Sequence, residues 1–405
     1  MLSSPLLRGK PAMMAGTGDI PCDFDAMRAR ARRRLPRFAF DFIDGGALRE
    51  SALARNAAAL DAIRLVPRVL TGATARDLST VLLDRRYAMP FGVAPIGMAN
   101  LVAPGTDLAL ARAAATAGIG YVLSTAGTTA LETIAEAAPE SWFQLYVGRD
   151  PDITDDLLRR AEAAGYPVLV VTADVPAPGK RLRDLNNRFT LPLRPGPGMA
   201  LDLIRHPGWA LAMATGGAPR FANLEAYSPP GSSTSSLAEL MAGQSSARLD
   251  WDLLARIRER WPRKLVLKGV LHPDDARRAV ALGVDAIGIS NHGGRQLDAA
   301  PAPVEMIAPV RAAVGGAVPL IVDGGVRGGE DIMRCLASGA DFVLLGRAFL
   351  YAAAALGGAR GPAALIALLG DELDRAMTQS GCRRIAEIDG ALLHRPGDSC
   401  GGPGA

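Results

Sequence analysis

The region around His292 carries the residue types that proton transfer requires. His292 lies in the sequence SNHGGRQLD, and Arg295 follows three positions later. A neutral imidazole accepts a proton near neutral pH, and a guanidinium binds a carboxylate through parallel donors. Asp174 ends the run VLVVTAD and could orient the imidazole and stabilise its protonated form. The alternatives are a core histidine bonded to a backbone carbonyl and a helix-capping aspartate.

Eight short apolar runs of the sequence each end in polar residues or glycine, and His292 lies at the end of one of them. One such residue would be an ordinary hydrogen-bonding group, whereas a set on all eight runs indicates a binding site. The residues are Gly97, Ser124, Gln144 with Tyr146, Thr172 with Asp174, Lys268, Ser290 with His292, Asp323 with Arg327, and Gly346 with Arg347.

The last two runs end in DGGVRGG, which includes Gly325 and Arg327, and in LGR, which ends at Arg347. Glycines let backbone N–H groups approach a phosphate closely, and arginines add charge-assisted contacts. These two sequences therefore predict a phosphate site. Turn-forming glycines beside surface arginines are the alternative.

The elements that must position these residues are alternating strands and helices. The apolar runs begin at Phe91, Tyr121, Trp142, Val168, Lys264, Ala286, Pro319 and Phe342. Continuous hydrophobicity is typical of parallel strands buried on both faces. The stretches between them, such as 106–118 and 273–283, have helical periodicity. Eight strand–helix units predict an α/β fold, a (β/α)₈ TIM barrel, with a doubly wound sheet as the competing arrangement.

The composition excludes several classes of protein. With 49% hydrophobic and 21% charged residues among 405, the chain has the apolar content for a sizeable core. A net charge of +4 is too small to indicate a nucleic-acid partner. The four cysteines form no CxxC pair, so we expect no metal site, no disulfide framework and a reduced, intracellular setting.

The expected domain organisation is a single barrel domain over 23–390. We expect disordered ends over 1–22 and 391–405, because both are rich in Gly, Pro and Ser. A helical segment with the basic sequence MRARARRRLPR precedes the barrel. The longest insertion, 190–250, follows the fourth strand and is expected to act as a lid or as a membrane segment.

Several motifs together resemble the FMN-dependent (S)-2-hydroxy acid oxidases and dehydrogenases. They are SNHGGRQLD at 290–298, LVLKGV at 265–270, DGGVRGGED at 323–331 and FQLYV at 143–147. RLPRFAFDFIDGGA at 34–47 and AMTQSGCRRIAEI at 376–388 match the opening and closing stretches of the family. The insertion and LSTA at 123–126 are most similar to mandelate dehydrogenase.

The resemblance implies FMN as cofactor and assigns roles by position. The implied FMN-binding residues are Pro95, Gly97, Ser124, Gln144, Thr172, Lys268, Ser290, Asp323, Gly325, Arg327, Gly346 and Arg347. The implied catalytic residues are His292 as base, Asp174 behind it, Tyr146 on the substrate oxygen and Lys268 beside the flavin. Arg295 and Arg181 are expected to bind the substrate carboxylate.

Two positions shape the expected substrate. Ala126 stands where glycolate oxidase has a bulky aromatic residue, so we expect a pocket large enough for an aryl side chain. Phe42 stands where the family usually has Tyr, and it lacks the hydroxyl that contacts the carboxylate. We therefore expect oxidation of a bulky or aryl (S)-2-hydroxy acid to its 2-oxo acid. A tailoring flavoenzyme on a non-standard substrate, suggested by Phe42, and a non-redox phosphate-binding barrel enzyme are the alternatives.

The insertion bears on location and on the electron acceptor. Residues 197–221 combine Leu, Met, Ile and Trp with arginines, a composition suited to a membrane interface. A lid packed on the barrel is the alternative. We expect a cytoplasmic protein, peripheral on the inner face of the cell membrane if the segment binds lipid, with a quinone favoured over oxygen as acceptor. The resemblance also implies a homo-oligomer, a tetramer.

Overall fold

The computed structural model describes residues 20–72, 74–188, 196–227 and 249–394. Three helices open the described chain: α1 (Phe24–Arg34), α2 (Arg37–Asp44) and α3 (Ser51–Ala62). Asp23 caps α1 by accepting the Ala26 N–H at 2.7 Å. A short antiparallel hairpin follows, with strands β1 (Thr80–Leu82) and β2 (Arg85–Tyr87). These elements form the helical segment that the sequence places before the barrel.

Eight parallel strands form a closed barrel, as the apolar runs predict. They lie in chain order around the barrel, and the last pairs with the first. The strands are β3 (Phe91–Ile96), β4 (Gly120–Ser124), β5 (Trp142–Leu145), β6 (Val168–Thr172), β7 (Lys264–Val270), β8 (Ala286–Ile289), β9 (Leu320–Asp323) and β10 (Phe342–Leu345). Closure in this order excludes the doubly wound sheet, which is open and reverses its strand order.

Helices connect the strands around the outside of the barrel. They are α4 (Thr106–Ala117), α5 (Leu131–Ala137), α6 (Pro151–Ala163), α7 (Leu182–Asn186), α8 (Pro197–Arg205), α9 (Pro207–Gly216), α10 (Trp251–Arg260), α11 (Pro273–Leu282), α12 (Pro303–Val314), α13 (Gly329–Ala337), α14 (Arg347–Leu356) and α15 (Arg360–Ser380). Helix α11 begins and ends where the sequence predicts, because residues at both ends cap it. His272 caps its first turn, and Gly283, at φ +93°, ends it in a left-handed conformation.

The amino-terminal end of the barrel is closed by the β1–β2 hairpin. Tyr87 and Leu82 are 2% exposed and pack with Trp142 and Phe342, which begin two barrel strands. The Trp142 Nε1–H donates to the Tyr87 hydroxyl at 3.2 Å. Because this end is filled with aromatic side chains, a ligand can enter the barrel only from the opposite end.

The described part of the insertion packs on the barrel and also exposes apolar surface. Trp209 is 8% exposed, and its Nε1–H donates to the Leu101 carbonyl at 2.9 Å. The Trp209 indole is therefore held against the barrel. Leu201, Ile204 and Leu211 are exposed. No helix among the described residues has the length and hydropathy to span a bilayer.

The C-terminal segment remains in contact with the rest of the protein up to His394. Leu392 is 3% exposed, and Leu393 forms an isolated bridge with Leu65. Residues 391–394, which the sequence assigns to the tail, therefore pack on the protein. The remaining residues assigned to disordered ends, 1–19 and 395–405, lie outside the described residues.

The hairpin generates a stability prediction. Leu82→Ala should destabilise the protein by about 2–5 kcal/mol, because it leaves a cavity at the closed end of the barrel. Thermal unfolding followed by circular dichroism measures the loss. The matched control is Val81→Ala on the same strand, whose side chain is exposed and whose loss should change little. Equal effects of the two substitutions would contradict this account of the hairpin.

Candidate active site

The site is built at the carboxyl ends of the barrel strands, where His292 meets Asp174 and Tyr146. His292 Nδ1 lies 3.0 Å from Asp174 Oδ1, and His292 Nε2 lies 3.4 Å from the Tyr146 hydroxyl. Asp174 follows β6, Tyr146 follows β5 and His292 follows β8. The contact with Asp174 favours the tautomer with the proton on Nδ1, which leaves Nε2 able to accept a proton.

The backbone around His292 is held in an uncommon conformation. His292, Gly293 and Gly294 all have positive φ, at +57°, +61° and +74°. A Cβ at Gly294 would lie 2.7 Å from the Leu53 amide nitrogen, so this close approach to α3 requires glycine. The His292 N–H donates to the Ser290 Oγ at 2.9 Å, which helps to fix the turn. A strained non-glycine residue of this kind is typical of functional sites.

A buried ion pair lies beside the histidine. Lys268 Nζ lies 2.9 Å from Asp323 Oδ2 and donates to the Ser290 Oγ at 2.9 Å. Ser290 Oγ in turn donates to Asp323 Oδ1 at 2.7 Å. Lys268 and Asp323 are 5% and 9% exposed, so each charge depends on the other for compensation. The triangle holds a cation at a fixed position in the cavity wall.

Electrostatic interactions set the protonation states of these groups. Burial alone would raise the pKa of Asp174, but the interaction with His292 and the charge of Lys268 outweigh it and hold the pKa below its ordinary value. Burial alone would lower the pKa of Lys268, and Asp323 and Asp174 keep it above the ordinary value. Burial and the Asp174 charge raise the pKa of Tyr146 to about 12. Near pH 7, Asp174 is therefore ionised, Lys268 charged and Tyr146 protonated.

Two arginines flank Phe42 at the cavity. The guanidinium carbons of Arg181 and Arg295 lie 5.2 and 5.3 Å from the centre of the Phe42 ring. Arg295 Nη1 donates to the carbonyls of Phe42 and Gly45, at 2.8 and 2.9 Å. Burial and the neighbouring charges of Arg181 and Arg347 hold the pKa of Arg295 well below its ordinary value. Asp184 lies 3.0 Å from Arg181 and offsets one of these three positive charges, and the charge that remains favours an anionic ligand.

The two arginines expected at a phosphate already have protein partners. Arg347 donates to the carbonyls of Ile43 and Gly293, at 3.0 and 2.8 Å, and also to that of Gly45. Arg327 forms ion pairs with Asp61 and Asp331. Both side chains still line the cavity.

The cavity has a volume of about 1090 Å³ and brings most of the predicted residues together. The predicted residues in its wall are Phe42, Pro95, Gly97, Ala126, Tyr146, Thr172, Arg181, Lys268, His292, Arg295, Asp323, Gly325, Arg327, Gly346 and Arg347. Asp174, Ser124, Gln144 and Ser290 lie behind the wall and hold residues that form it. Ser124 Oγ, for example, accepts the N–H of Ala126, a residue of the wall, at 3.1 Å.

Two buried polar atoms that lack a hydrogen-bond partner bear on whether the cavity fits FMN. Gln144 Nε2 and Thr172 Oγ1 are buried and have no hydrogen-bond partner in the protein. Such groups are rare unless a ligand or water completes their bonding. Thr172 lines the cavity beside Lys268, so the polar edge of a flavin ring would offer a partner for its hydroxyl next to a cation, whereas Gln144 lies behind the wall. Gly325, Gly346 and two arginines lie at the ends of β9 and β10, where barrels commonly bind phosphate. The residues present therefore fit FMN.

Several residues of the site could not be predicted from the sequence. Phe221, from the end of the insertion, lines the cavity at 7% exposure. Asn56 and Asn291 exchange two hydrogen bonds, at 2.9 and 2.7 Å, and so join α3 to the His292 turn. Met98 has φ +61° beside Gly97. No sequence motif marks these residues, because their contacts depend on how distant loops pack.

Comparisons with known proteins identify the family of this chain. Residues 31–395 match the family model described as FMN-dependent dehydrogenase. The chain is 40% identical over 374 residues to the (S)-mandelate dehydrogenase of Pseudomonas putida, covering 91% of this chain and 93% of that protein. It is 41% identical over 367 residues to an L-lactate dehydrogenase of Stenotrophomonas maltophilia (strain R551-3), covering 89% and 95%.

A solved structure is similar over nearly the whole chain. The crystal structure of the monotopic membrane protein (S)-mandelate dehydrogenase superposes with a TM-score of 0.89 at 38% identity, covering 93% of this chain and all of that one. The fold and site thus define an FMN-dependent barrel oxidoreductase. The chain belongs to the FMN-dependent dehydrogenase family, and FMN is its cofactor. The non-redox barrel enzyme expected as an alternative is therefore excluded.

Proposed function

We propose that this enzyme oxidises an (S)-2-hydroxy acid with a bulky or aryl side chain, similar to mandelate, to the 2-oxo acid. The observation that carries the proposal is the contact of His292 with Asp174 and Tyr146 beside two cavity-lining arginines. This arrangement provides a base, a hydroxyl donor and a carboxylate site in one place. When bound, FMN supplies a two-electron acceptor.

The proton transfer is assigned to His292. Its Nε2 faces Tyr146 and can take a proton from the substrate, while Nδ1 stays bonded to Asp174. The ionised carboxylate of Asp174 stabilises the imidazolium that forms. Tyr146, held protonated by its raised pKa, can donate to the substrate oxygen. Lys268 places positive charge where the reduced cofactor would carry negative charge.

Binding of the substrate carboxylate is assigned to Arg181 and Arg295. Both line the cavity, and the half-buried Arg295 lies in a region of excess positive charge. Phe42 lies between them and offers an aromatic face without a hydroxyl donor. We expect the carboxylate to bind through the two guanidinium groups alone.

The size of the pocket supports a bulky side chain on the substrate. Ala126 and Gly97 line the cavity, and a Cβ at Gly97 would lie 3.0 Å from that of Ala126. Small residues at both positions leave room for a ring, and Phe221 adds an aromatic wall. The relatives include both lactate and mandelate dehydrogenases, so the preference for an aryl substrate rests on this pocket.

Peripheral membrane contact through 197–221 is a further part of the proposal. Leu201, Ile204 and Leu211 expose apolar side chains on α8 and α9, which supports insertion at a membrane surface. The similar (S)-mandelate dehydrogenase is described as a monotopic membrane protein. A quinone acceptor in preference to oxygen, a location on the inner face of the cell membrane and a tetrameric assembly stay predictions.

An anaerobic substrate panel tests the proposed reaction. The purified holoenzyme, mixed without oxygen with mandelate, lactate or glycolate, should lose its flavin absorbance band with (S)-mandelate at the lowest concentration. The (R) enantiomer of mandelate is the matched control and should leave the band unchanged. If none of the three acids bleached the band, the proposed reaction would be wrong and the non-standard substrate suggested by Phe42 would be favoured.

The Phe42 position provides a second prediction. Phe42→Tyr should lower the KM for simple 2-hydroxy acids by about 5- to 150-fold, since a hydrogen bond from the hydroxyl to a charged oxygen contributes roughly 1–3 kcal/mol. Anaerobic flavin reduction at several substrate concentrations gives this value. Phe42→Leu, which removes the ring without adding a donor, should not lower it. An unchanged KM in Phe42→Tyr would show that Phe42 does not limit carboxylate binding.

A further inference from the structure

Arg183 joins the segment that carries Arg181 to the N-terminal helices. It lies on α7 and contacts three carboxylates at once. Its Nη1 donates to Asp44 Oδ2 at 2.7 Å and lies 3.5 Å from Asp41 Oδ1, and its Nη2 donates to Glu50. The planar fork of a guanidinium suits several acceptors at once, which a point-like ammonium cannot match.

The carboxylates that receive Arg183 are themselves fixed in the protein. Asp44 is 2% exposed and accepts hydrogen bonds from Arg28 and from the Tyr351 hydroxyl, the latter at 2.7 Å. Burial alone would raise the pKa of Asp44, but these hydrogen bonds outweigh it and hold the pKa at about 2. Glu50 accepts the Gly46 N–H at 3.0 Å. Arg183 is therefore bonded to an ionised Asp44 and to a Glu50 that is itself held by a backbone hydrogen bond.

Residues 179–188, here called the clamp segment, lie between the N-terminal helices and the His292 turn. The Lys180 carbonyl accepts the Leu48 N–H at 2.9 Å, and Asn187 Nδ2 donates to Asp41 Oδ2 at 2.7 Å. At the other side, a Cβ on Gly179 would overlap the Arg295 carbonyl oxygen. The clamp segment thus has contacts on both sides, and Arg183 makes its ion pairs with three N-terminal carboxylates.

We propose that Arg183 is a positioning residue, which clamps residues 179–188 onto α2 and α3 and thereby sets the affinity of the site for a carboxylate. Arg181 stands two positions before Arg183, and Phe42 lies on α2 between Asp41 and Asp44. The clamp therefore fixes the two elements whose side chains meet at the cavity. The inference rests on the proposed function, because it assigns the bound carboxylate to Arg181.

Removal of Arg183 should loosen the clamp segment without altering the groups that transfer the proton. Asp41, Asp44 and Glu50 would face one another with less compensating charge, which favours separation of α7 from α2. His292 and Asp174 do not contact Arg183, so their hydrogen bond should persist. A weaker ligand affinity with a preserved maximal rate distinguishes this positioning role from a general loss of structure.

The experiment uses the FMN-bound holoenzyme and the variants Arg183→Ala and Arg183→Lys. The matched control is Arg375→Ala, whose exposed arginine pairs with Asp371 at 2.6 Å on α15, away from the clamp segment. Hydrogen–deuterium exchange with mass spectrometry measures protection of residues 179–188. Titration with phenylacetate, which has a carboxylate but no hydroxyl to oxidise, gives a Kd from the flavin absorbance change.

In Arg183→Ala we expect faster exchange in 179–188 and a Kd for phenylacetate higher by about tenfold, or roughly 1.4 kcal/mol. Arg183→Lys should fall between Arg183→Ala and the wild type, and Arg375→Ala should match the wild type. The maximal rate of flavin reduction should stay within about twofold in all of them.

Unchanged exchange in 179–188, or faster exchange with an unchanged Kd, would overturn the positioning role. If wild-type holoenzyme did not bind phenylacetate, the proposed carboxylate site would fail, while the exchange measurement would still test the clamp.

Discussion

The site depends on the need to compensate charges that the barrel buries. Lys268 lies on β7 and Asp323 ends β9, and Ser290, which follows the intervening strand β8, bonds to both. A lone buried charge would cost several kcal/mol, so neither residue is stable there without the other. The same Ser290 accepts the His292 N–H, and Lys268 helps to keep Asp174 ionised. The Lys268–Asp323 pair thus fixes a cation in the cavity wall. Through Ser290 and Lys268, it also supports the turn at His292 and the negative charge of Asp174.

Charge compensation also shapes the outer part of the site, where the charged groups are more exposed. Arg347 and Arg295 are half-buried beside the cavity and share the Gly45 carbonyl, so the loop between α2 and α3 is held by two cations. Arg183 binds the acidic residues of those helices from the other side. The N-terminal helices, which add no strand to the barrel, therefore complete its open end. Their position explains why Phe42, far from His292 in the sequence, lines the same cavity.

Sequence reasoning predicts the barrel well, because parallel strands buried on both faces appear as short continuous apolar runs. All eight runs form barrel strands, and their polar ends meet at one rim. It predicts less about contacts between distant loops. Arg327 and Arg347 are expected at a phosphate, yet they also bond to Asp61, Asp331 and backbone carbonyls, which no spacing reveals. The insertion shows the same limit, because the sequence of an apolar helix does not reveal which of its residues pack on the barrel, as Trp209 does, and which face outward.

The most direct test of the account is anaerobic flavin reduction in His292→Ala holoenzyme. General-base catalysis contributes about 10²–10⁴-fold to a rate, so reduction by the best substrate of the wild type should slow by at least that range. FMN should remain bound, because Lys268, Asp323 and the glycines at the ends of β9 and β10 are unchanged. Partial recovery of the rate with added imidazole would support the assigned role. Reduction at the wild-type rate, or loss of FMN from the variant, would contradict the account.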